Sequence, residues 1–545
     1  MLLCAGCGAG GGSQVVSNKD LRTTHVDTSD VLFEPDHLLR VDIEMDPDEF
    51  DILRQEGRSL PGVFSGCEFE FEYSHFRATV SVDGEVLEDV DIRKKGFLGS
   101  LSAGRPSFKL NFDTHQPGRR LESLERMTLN NNLQDDGNTH QCITYKMFRD
   151  AGLPAPRCNF AQVSLNGKDL GIYTHVESIK RHFLRRNFDS DEGNLYEAQV
   201  ADFGEFTQQN FQLKTNEELN ERSDLDAVAN ALKADDDNLP GLLEQVVDVD
   251  EFLSFWAMES ITGHWDSATG NANNYFVYND PATGLFHYIP WGADGSMELD
   301  HSLAPGTGPL YRYIAIPARL FKIPEYRDRY HQRLLSLLDE VWDEGALHAE
   351  VDRIRDLTGT AEANLVQVRN FIDKQQVRLR AAVAGELEQK ERTIVDQPTA
   401  CDDSGISTIS GSISNGLGSF EYVDGDGNLV TVPAFAAAPA AGGPGGVPGN
   451  SVSINVIGSV AGVTRLAIVT IEDTEFGPGE IPFHGFVTTV ILIELGGEQG
   501  VTVLGFAGAG SVVFDQSPAI GEVPSLHFSG ELWLTEGGFG PFEGG

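Results

Sequence analysis

The chain has 545 residues, enough for about three domains at roughly 100–200 residues each. Its 40 Lys and Arg against 83 Asp and Glu leave a net charge of −43, which repels phosphate backbones and anionic head groups and argues against nucleic acid as a partner. No window reaches the roughly 18 consecutive apolar residues of a membrane helix, so no span is expected, and any nucleotide site must bring its own cations together with a divalent metal.

Residues 1–28, opening MLLCAGCGAGGGSQ, read as a leader. Ala5-Gly6-Cys7 before a Gly/Ser run is similar to the end of a bacterial lipoprotein signal, with Cys7 as the acylated residue and Cys4 as the second choice. The basic and longer apolar stretches of such a signal are missing. That reading expects an exported, lipid-anchored protein of the cell envelope or surface; the competing one is an unstructured leader. The remaining cysteines, Cys67, Cys142, Cys158 and Cys401, lack any zinc-type spacing. A Cys142–Cys158 disulfide and buried free thiols both stay open.

Leu39, Val41 and Ile43 alternate as in a strand, and a helix follows with Asp46 as N-cap, Pro47 at its first position and Glu49 at its third. Short strands are expected over CEFEFEY, RATVSVDGEVLEDVDIRKKG and PSFKLNFD, with Asp83-Gly84 as the primed turn of a hairpin, giving an antiparallel sheet. In THQCITYKMFRDAG, Ile143, Met147 and Phe148 recur at helical spacing, and Gly152 ends the helix. NFAQVSLNG and LGIYTHVESI form a second hairpin at Asn166-Gly167, and the charged helix KRHFLRRNF comes after it.

A polar acidic insert at about 216–240 leads to the helix VDEFLSFWAMESITGHW, which stops near Gly263; a strand pair spans NNYFVYN and LFHYIP, and 311 to about 392 is helical. At about 396 the composition changes. Residues 393–450 read as a linker with short strands, and 451–545 as a separate all-β, sandwich-like domain of Val/Ile-rich runs between glycines. VDGDGN at 423–428 lacks the closing Glu of a calcium loop and reads as a hairpin turn.

Three segments carry a resemblance: VDIRKKGFLGSLSAGRPSFKLNFD; LNNNLQDDGNTHQCITYKMFRDAGLPAPRCNFAQVSLNGKDLGIYTHVESIKRHFLRRNF; and NNYFVYNDPATGLFHYIPWGADGSM. Together, over roughly residues 30–385, they resemble the spore coat protein H (CotH) kinase family, distant relatives of protein kinases. The resemblance implies an α+β fold in which 29–392 form a two-lobed, atypical protein-kinase-like domain: an N-terminal antiparallel sheet plus helix, then a helical C-terminal lobe. It also implies ATP as phosphoryl donor, Mg²⁺ or Mn²⁺, and Ser/Thr of an extracytoplasmic protein at the cell surface or envelope as acceptor.

Phosphoryl transfer needs a cation on the nucleotide phosphates, a metal held by acid and amide, and an acid to orient or deprotonate the acceptor hydroxyl. Asp266, in a helix-to-strand loop before Asn271, Asn273 and Asn274, mimics the kinase order of catalytic Asp and metal-binding Asn. Asn274 directly precedes the strand, as in the family, and is the preferred ligand, with Asn271 second. Asp294 lies where the family's PWD-x-D acids hold metal. Lys109 is the expected phosphate clamp, with Glu177 as its partner or a metal ligand. Arg93, Lys95, Gly96 and Ser100 line a phosphate-covering turn, its glycines letting backbone N–H groups approach oxygen. Trp291 is expected in the core or as a wall of the nucleotide pocket.

One departure bears on activity: the family's first acid after PW is replaced by Gly292. An inactive kinase-like surface scaffold is therefore the alternative reading. Asn130, Asn131 and Asn132 read as a side-chain-capped loop. His264, His287 and His301 lack metal-hydrolase spacing.

Overall fold

The computed structural model describes residues 27–58, 71–97, 99–299, 308–387, 405–441, 451–485, 487–495, 501–516 and 522–534, with 61, 63, 394 and 396. Cys4, Cys7, Cys67, Cys401 and His301 lie outside the described residues, as does most of the expected leader.

The first unit comprises β1 (Leu39–Met45), α1 (Pro47–Gln55), β2 (Phe76–Val82), β3 (Glu85–Lys95), β4 (Ser107–Asn111), β5 (Arg126–Asn130), α2 (His140–Asp150), β6 (Cys158–Leu165) and β7 (Lys168–Val176). Local chemistry sets several of these bounds. Asp46 accepts from the Asp48 and Glu49 N–H groups to cap α1, and both hairpins turn on positive φ at Asp83-Gly84 and Asn166-Gly167.

The expected antiparallel sheet is in fact a closed barrel in the order β1-β2-β3-β4-β5-β7-β6, sealed by a parallel β1–β6 pair. Closure hides both sheet edges and surrounds one core, with Val41, Ile43, Ile92, Phe108, Leu129 and Val163 buried inside. Residues 71–73 of the expected CEFEFEY strand are not in a strand. Cys142 and Cys158 are joined as a disulfide that ties α2 to β6.

The chain continues through α3 (Arg181–Asn187), β8 (Asn194–Ala198), β9 (Phe211–Leu213), α4 (Ser223–Ala231), α5 (Leu239–Leu243), α6 (Val249–Thr262), α7 (Ala268–Asn271), β10 (Tyr275–Asp280) and β11 (Leu285–Pro290). The expected β10–β11 pair is present, and β8 and β9 extend it into an antiparallel sheet ordered β11-β10-β8-β9. Helices α8 (Ala315–Leu320), α9 (Pro324–Val341), α10 (Glu344–Thr358) and α11 (Val366–Val383) complete the second lobe. Trp256 of α6 stacks on Tyr330 of α9, with centroids 3.7 Å apart. The second lobe is thus sheet plus helices, not helices alone.

Strands β12 (Ile406–Ser414), β13 (Leu417–Val423), β14 (Leu429–Ala436), β15 (Ala440–Ala441), β16 (Ser451–Val460), β17 (Val463–Glu472), β18 (Gly479–Pro482), β19 (Thr489–Leu495), β20 (Val501–Phe514) and β21 (Leu526–Leu534) form the last unit. It is all-β, but it is a barrel instead of a sandwich. The order β14-β13-β12-β21-β20-β19-β17-β16 closes through an antiparallel β14–β16 pair. Gly458 permits the closure, because a Cβ there would lie 2.2 Å from the Pro433 carbonyl oxygen. Strands β12 to β14 fall in the stretch expected to be linker, so this unit begins near 406, not at 451. Asp424 accepts from the Asp426 and Asn428 N–H groups, making VDGDGN the turn between β13 and β14.

Candidate active site

Helix α6 stops at Gly263, which adopts φ 60°, and the next eleven residues fold into a tight loop. The Ser267 side chain caps α7 by accepting from the Gly270 N–H, and Ala272 and Asn274 both take left-handed backbone, φ 55° and 50°. These turns fold three asparagine amides back onto Asp266. Asn271 Nδ2 donates to Oδ1 at 2.8 Å, Asn274 Nδ2 to Oδ2 at 2.7 Å, and Asn273 Nδ2 to both oxygens at 3.3 Å. Burial pushes the Asp266 carboxyl up to about 6; the amide bonds oppose that shift and the charge of Asp294 adds to it.

From α6 below, the buried Glu259 carboxylate accepts from the Ala268 and Thr269 N–H groups and the Thr269 hydroxyl. It fixes the loop from beneath, a role that no spacing in the sequence announces.

Beyond β11, Trp291 and Gly292 lead into a single turn, Ala293–Gly295, that presents Asp294. Its carboxyl is raised by burial, with Asp135 adding to the shift while Lys95 and His140 oppose it. His140 Nδ1 donates to the Asp294 carbonyl at 2.8 Å and holds the turn. Asp135 was not foreseen; its Oδ1 is buried without a hydrogen-bond partner. These carboxylates and amides are hard oxygen donors of the type Mg²⁺ and Mn²⁺ take, and the raised carboxyls of Asp266 and Asp294 fit such an ion.

The cation facing Asp294 is Lys95, not Lys109. Lys95 also donates to Asn130 Oδ1. Lys109 lies opposite Arg93 across the β3–β4 ladder, two residue pairs further from the strand end than Lys95, in a cleft lined also by Arg126, Lys180, Lys214, Glu197, Phe276 and Trp291. Five cations therefore converge in a chain of net charge −43. Burial brings the Lys109 ammonium down to about 7, with Glu197 opposing and Arg93 adding to the shift. Burial works against the charge of Glu197 as well, but Lys214, at 2.8 Å, and Lys109 outweigh it and hold that carboxyl at about 2.

Glu177 is not the partner of Lys109. It is 1% exposed and locked between Arg157 at 2.8 Å and Arg186 at 2.5 Å, so it is a framework ion pair. The acid beside Lys109 is Glu197 of β8.

Gly96, at φ 135°, and Ser100 lie in the turn that joins β3 to β4 above Lys95. The three asparagines 130–132 serve this framework: Asn130 receives Lys95, Asn131 caps the turn by donating to the Ser100 and Arg105 carbonyls, and Asn132 bonds Asn138 and Thr174. His264 is buried against the Gly292 carbonyl, and His287 pairs with Glu251 at 3.0 Å. Neither faces Asp266 or Asp294 in these contacts.

The family model described as CotH kinase protein matches residues 92–392. Inner spore coat protein H of Bacillus subtilis (strain 168) is 24% identical over 290 residues, covering 49% of this chain and 77% of that protein. The crystal structure of the Helicobacter pylori proinflammatory kinase CtkA aligns with 51% of this chain and 94% of its own at 10% identity, with a TM-score of 0.26, too low to support an argument. The family match takes in the first lobe from the end of β3 onward and the second lobe with the loop of Asp266 and the turn of Asp294, and covers more than half of the sequence. The chain belongs to the CotH kinase family of atypical protein kinases.

Proposed function

We propose that the chain transfers the γ-phosphoryl group of ATP to Ser/Thr hydroxyls of proteins outside the cytoplasm. Family membership implies ATP and a protein acceptor. The observation that carries the reading is the cleft itself: Arg93, Lys109, Arg126, Lys180 and Lys214 concentrate positive charge in an acidic protein, and Lys95, which feels Arg93, also feels the buried carboxyl of Asp294, whose charge in turn acts on Asp266.

In this reading Lys109 and its neighbours bind the phosphates, Trp291 and Phe276 wall the cleft, and Asp266 accepts the proton of the acceptor hydroxyl. Its value of about 6 leaves it ionised at neutral pH yet basic enough for that task. The amides of Asn271, Asn273 and Asn274 orient the carboxylate. Asp294, with the oxygen of Asn274 or Asn271, would hold Mg²⁺ or Mn²⁺, which when bound screens phosphate charge. Lys95 keeps Asp294 compensated in the free protein.

Export with a lipid anchor at Cys7 is part of the proposal and rests on the leader sequence. No described helix is long and apolar enough to cross a membrane.

The test is ATP binding to the purified chain with and without Mg²⁺ or Mn²⁺, followed by transfer of labelled phosphate to itself or to envelope proteins. Transfer that depends on metal and is lost in Asp266→Ala supports the reading. Binding without transfer, unchanged in Asp266→Ala, would favour the inactive scaffold that Gly292 raises as the alternative.

A further inference from the structure

The turn between β3 and β4 is held at three places. At its start the Tyr73 hydroxyl donates to the Gly96 carbonyl at 2.6 Å. Asn131 Nδ2 donates to the Ser100 carbonyl at 3.0 Å and the Arg105 carbonyl at 2.7 Å. Both of these anchors belong to the kinase domain.

The middle of the turn is held by the C-terminal barrel, which lies beyond the residues matched to the family. Glu472, the last residue of β17, accepts from the Ser102 hydroxyl, from the Ala103 N–H at 3.1 Å and from the Gly104 N–H at 3.2 Å. Ser102 Oγ in turn accepts from the Arg105 N–H at 2.8 Å, which closes the turn on itself. Consecutive backbone N–H groups aimed at one carboxylate form an anion nest. The Glu472 side chain is the anion, and the residue is 1% exposed.

A second buried contact flanks this one. Lys94, fully buried, donates to the Arg54 carbonyl at 2.6 Å and the Glu56 carbonyl at 2.7 Å, and its ammonium lies 2.7 Å from His484 Nε2 of the barrel. Gly57 leaves room for that ring, since a Cβ there would be 2.9 Å from His484 Cε1. At the rim Arg54 pairs with Glu475 at 3.1 Å. Successive strand residues point to opposite faces. Lys95 accordingly feels Asp294 on the cleft side, while its neighbour Lys94 feels Glu472 on the other. One short segment is gripped by the site on one face and by the appended barrel on the other.

We propose that the C-terminal barrel is a positioning module for the kinase reaction, with Glu472 as the positioning residue that keeps the β3–β4 turn in the shape that receives the nucleotide phosphates. The proposal rests on the reading of the cleft as the ATP site. Without Glu472 the stretch between Gly96 and Arg105 keeps its two outer anchors and loses the middle one. ATP then has to order the turn as it binds, and this loss falls on nucleotide affinity more than on the chemical step.

The test uses the full chain carrying Glu472→Ala, Glu472→Gln or Ser102→Ala, the last removing a donor from the turn while leaving the barrel intact. Hydrogen exchange over 96–105, ATP affinity, KM and kcat are measured for each. The expected result is faster exchange in the turn, KM for ATP raised about tenfold in Glu472→Ala, a smaller rise in Glu472→Gln, which keeps one acceptor oxygen, and kcat within about twofold. Ser102→Ala is expected to reproduce the KM effect. Faster exchange with unchanged ATP affinity and KM would overturn the proposal, as would exchange that stays at the wild-type rate in every variant. Wild-type protein that fails to bind ATP refutes the nucleotide reading itself and removes this proposal with it; wild-type binding beside unaffected variants refutes only the role of the barrel.

Discussion

Gly292 lies so close to Asn274 that a Cβ on it would stand 2.4 Å from Asn274 Oδ1 and 3.1 Å from Asn274 Cβ. The space into which a side chain at this position would project is filled by the Asn274 amide, which also holds Asp266. Placing an acid there is therefore expected to harm the site. Gly292→Asp must push Asn274 off Asp266 and must place a side chain at φ 51°, a left-handed backbone that costs about 1 kcal/mol or more outside glycine. Phosphotransfer is expected to fall about tenfold or more in Gly292→Asp and in Gly292→Ala alike. A Gly292→Asp variant more active than wild type would show that the missing acid limits the enzyme.

The two central titrations predict a narrow pH optimum. Asp266, raised to about 6 by burial, must be ionised to accept a proton, so kcat/KM rises with pH through about 6. Lys109, lowered to about 7 by burial, must be protonated to hold phosphate, so kcat/KM falls as pH passes about 7. In kcat the alkaline limb moves upward, because bound phosphate stabilises the ammonium. Lys109→Arg keeps its charge across this range and is expected to abolish the alkaline limb while leaving the acid one. An initial-rate profile from pH 5 to 9 for both proteins checks it.

Glu197 gives a related prediction of opposite character. Its charge opposes the effect of burial on Lys109, so Glu197→Gln lowers the ammonium's pKa further and moves the alkaline limb of ATP binding to lower pH. Well below that limb, where Lys109 is protonated in both proteins, the variant has lost a carboxylate that repels phosphate and binds ATP at least as tightly. The two affinity curves are expected to cross. Parallel curves between pH 5.5 and 8.5 would show that Glu197 does not govern Lys109.

How much of this was visible in the sequence follows from the range of the interactions. The Asp266 site was legible because its three amides come from residues 271–274 and are folded back by left-handed turns within a dozen residues. Asp83-Gly84 and Asn166-Gly167 were legible for the same reason: a turn's φ requirement is local. The cleft was only partly so. Arg126, Lys180, Glu197 and Lys214 come from separate elements, and no spacing links them to Lys109. The sequence suggests a sheet for the first barrel and a sandwich for the second, because closure depends on the β1–β6 and β14–β16 pairs, which no local pattern announces. Strands β8 and β9, only five and three residues long, give too little alternation to stand out.

Glu177 shows how a well-placed motif acid can mislead, and its substitution separates framework from catalysis. Burial alone would raise its carboxyl, yet Arg186 and Arg157 outweigh burial and hold it below its ordinary value. A carboxyl whose pKa is depressed on folding stabilises the native state above its unfolded value and loses that contribution as pH falls through the folded one. Glu177→Gln takes away the carboxylate that Arg157 and Arg186 share; Arg157 keeps Asp30 at 2.5 Å and Arg186 is partly exposed, so the loss is that of charged hydrogen bonds, expected to cost about 1.5–3 kcal/mol. The urea midpoint should drop accordingly at pH 7, and the gap from wild type should narrow in acid as the native carboxylate protonates. The folded variant should keep wild-type ATP affinity and an unchanged alkaline limb, because Lys109 takes its compensation from Glu197. If that limb shifted in Glu177→Gln with the urea midpoint unmoved, Glu177 would act on the phosphate-binding lysine after all, and the ion pairs with Arg157 and Arg186 would be incidental.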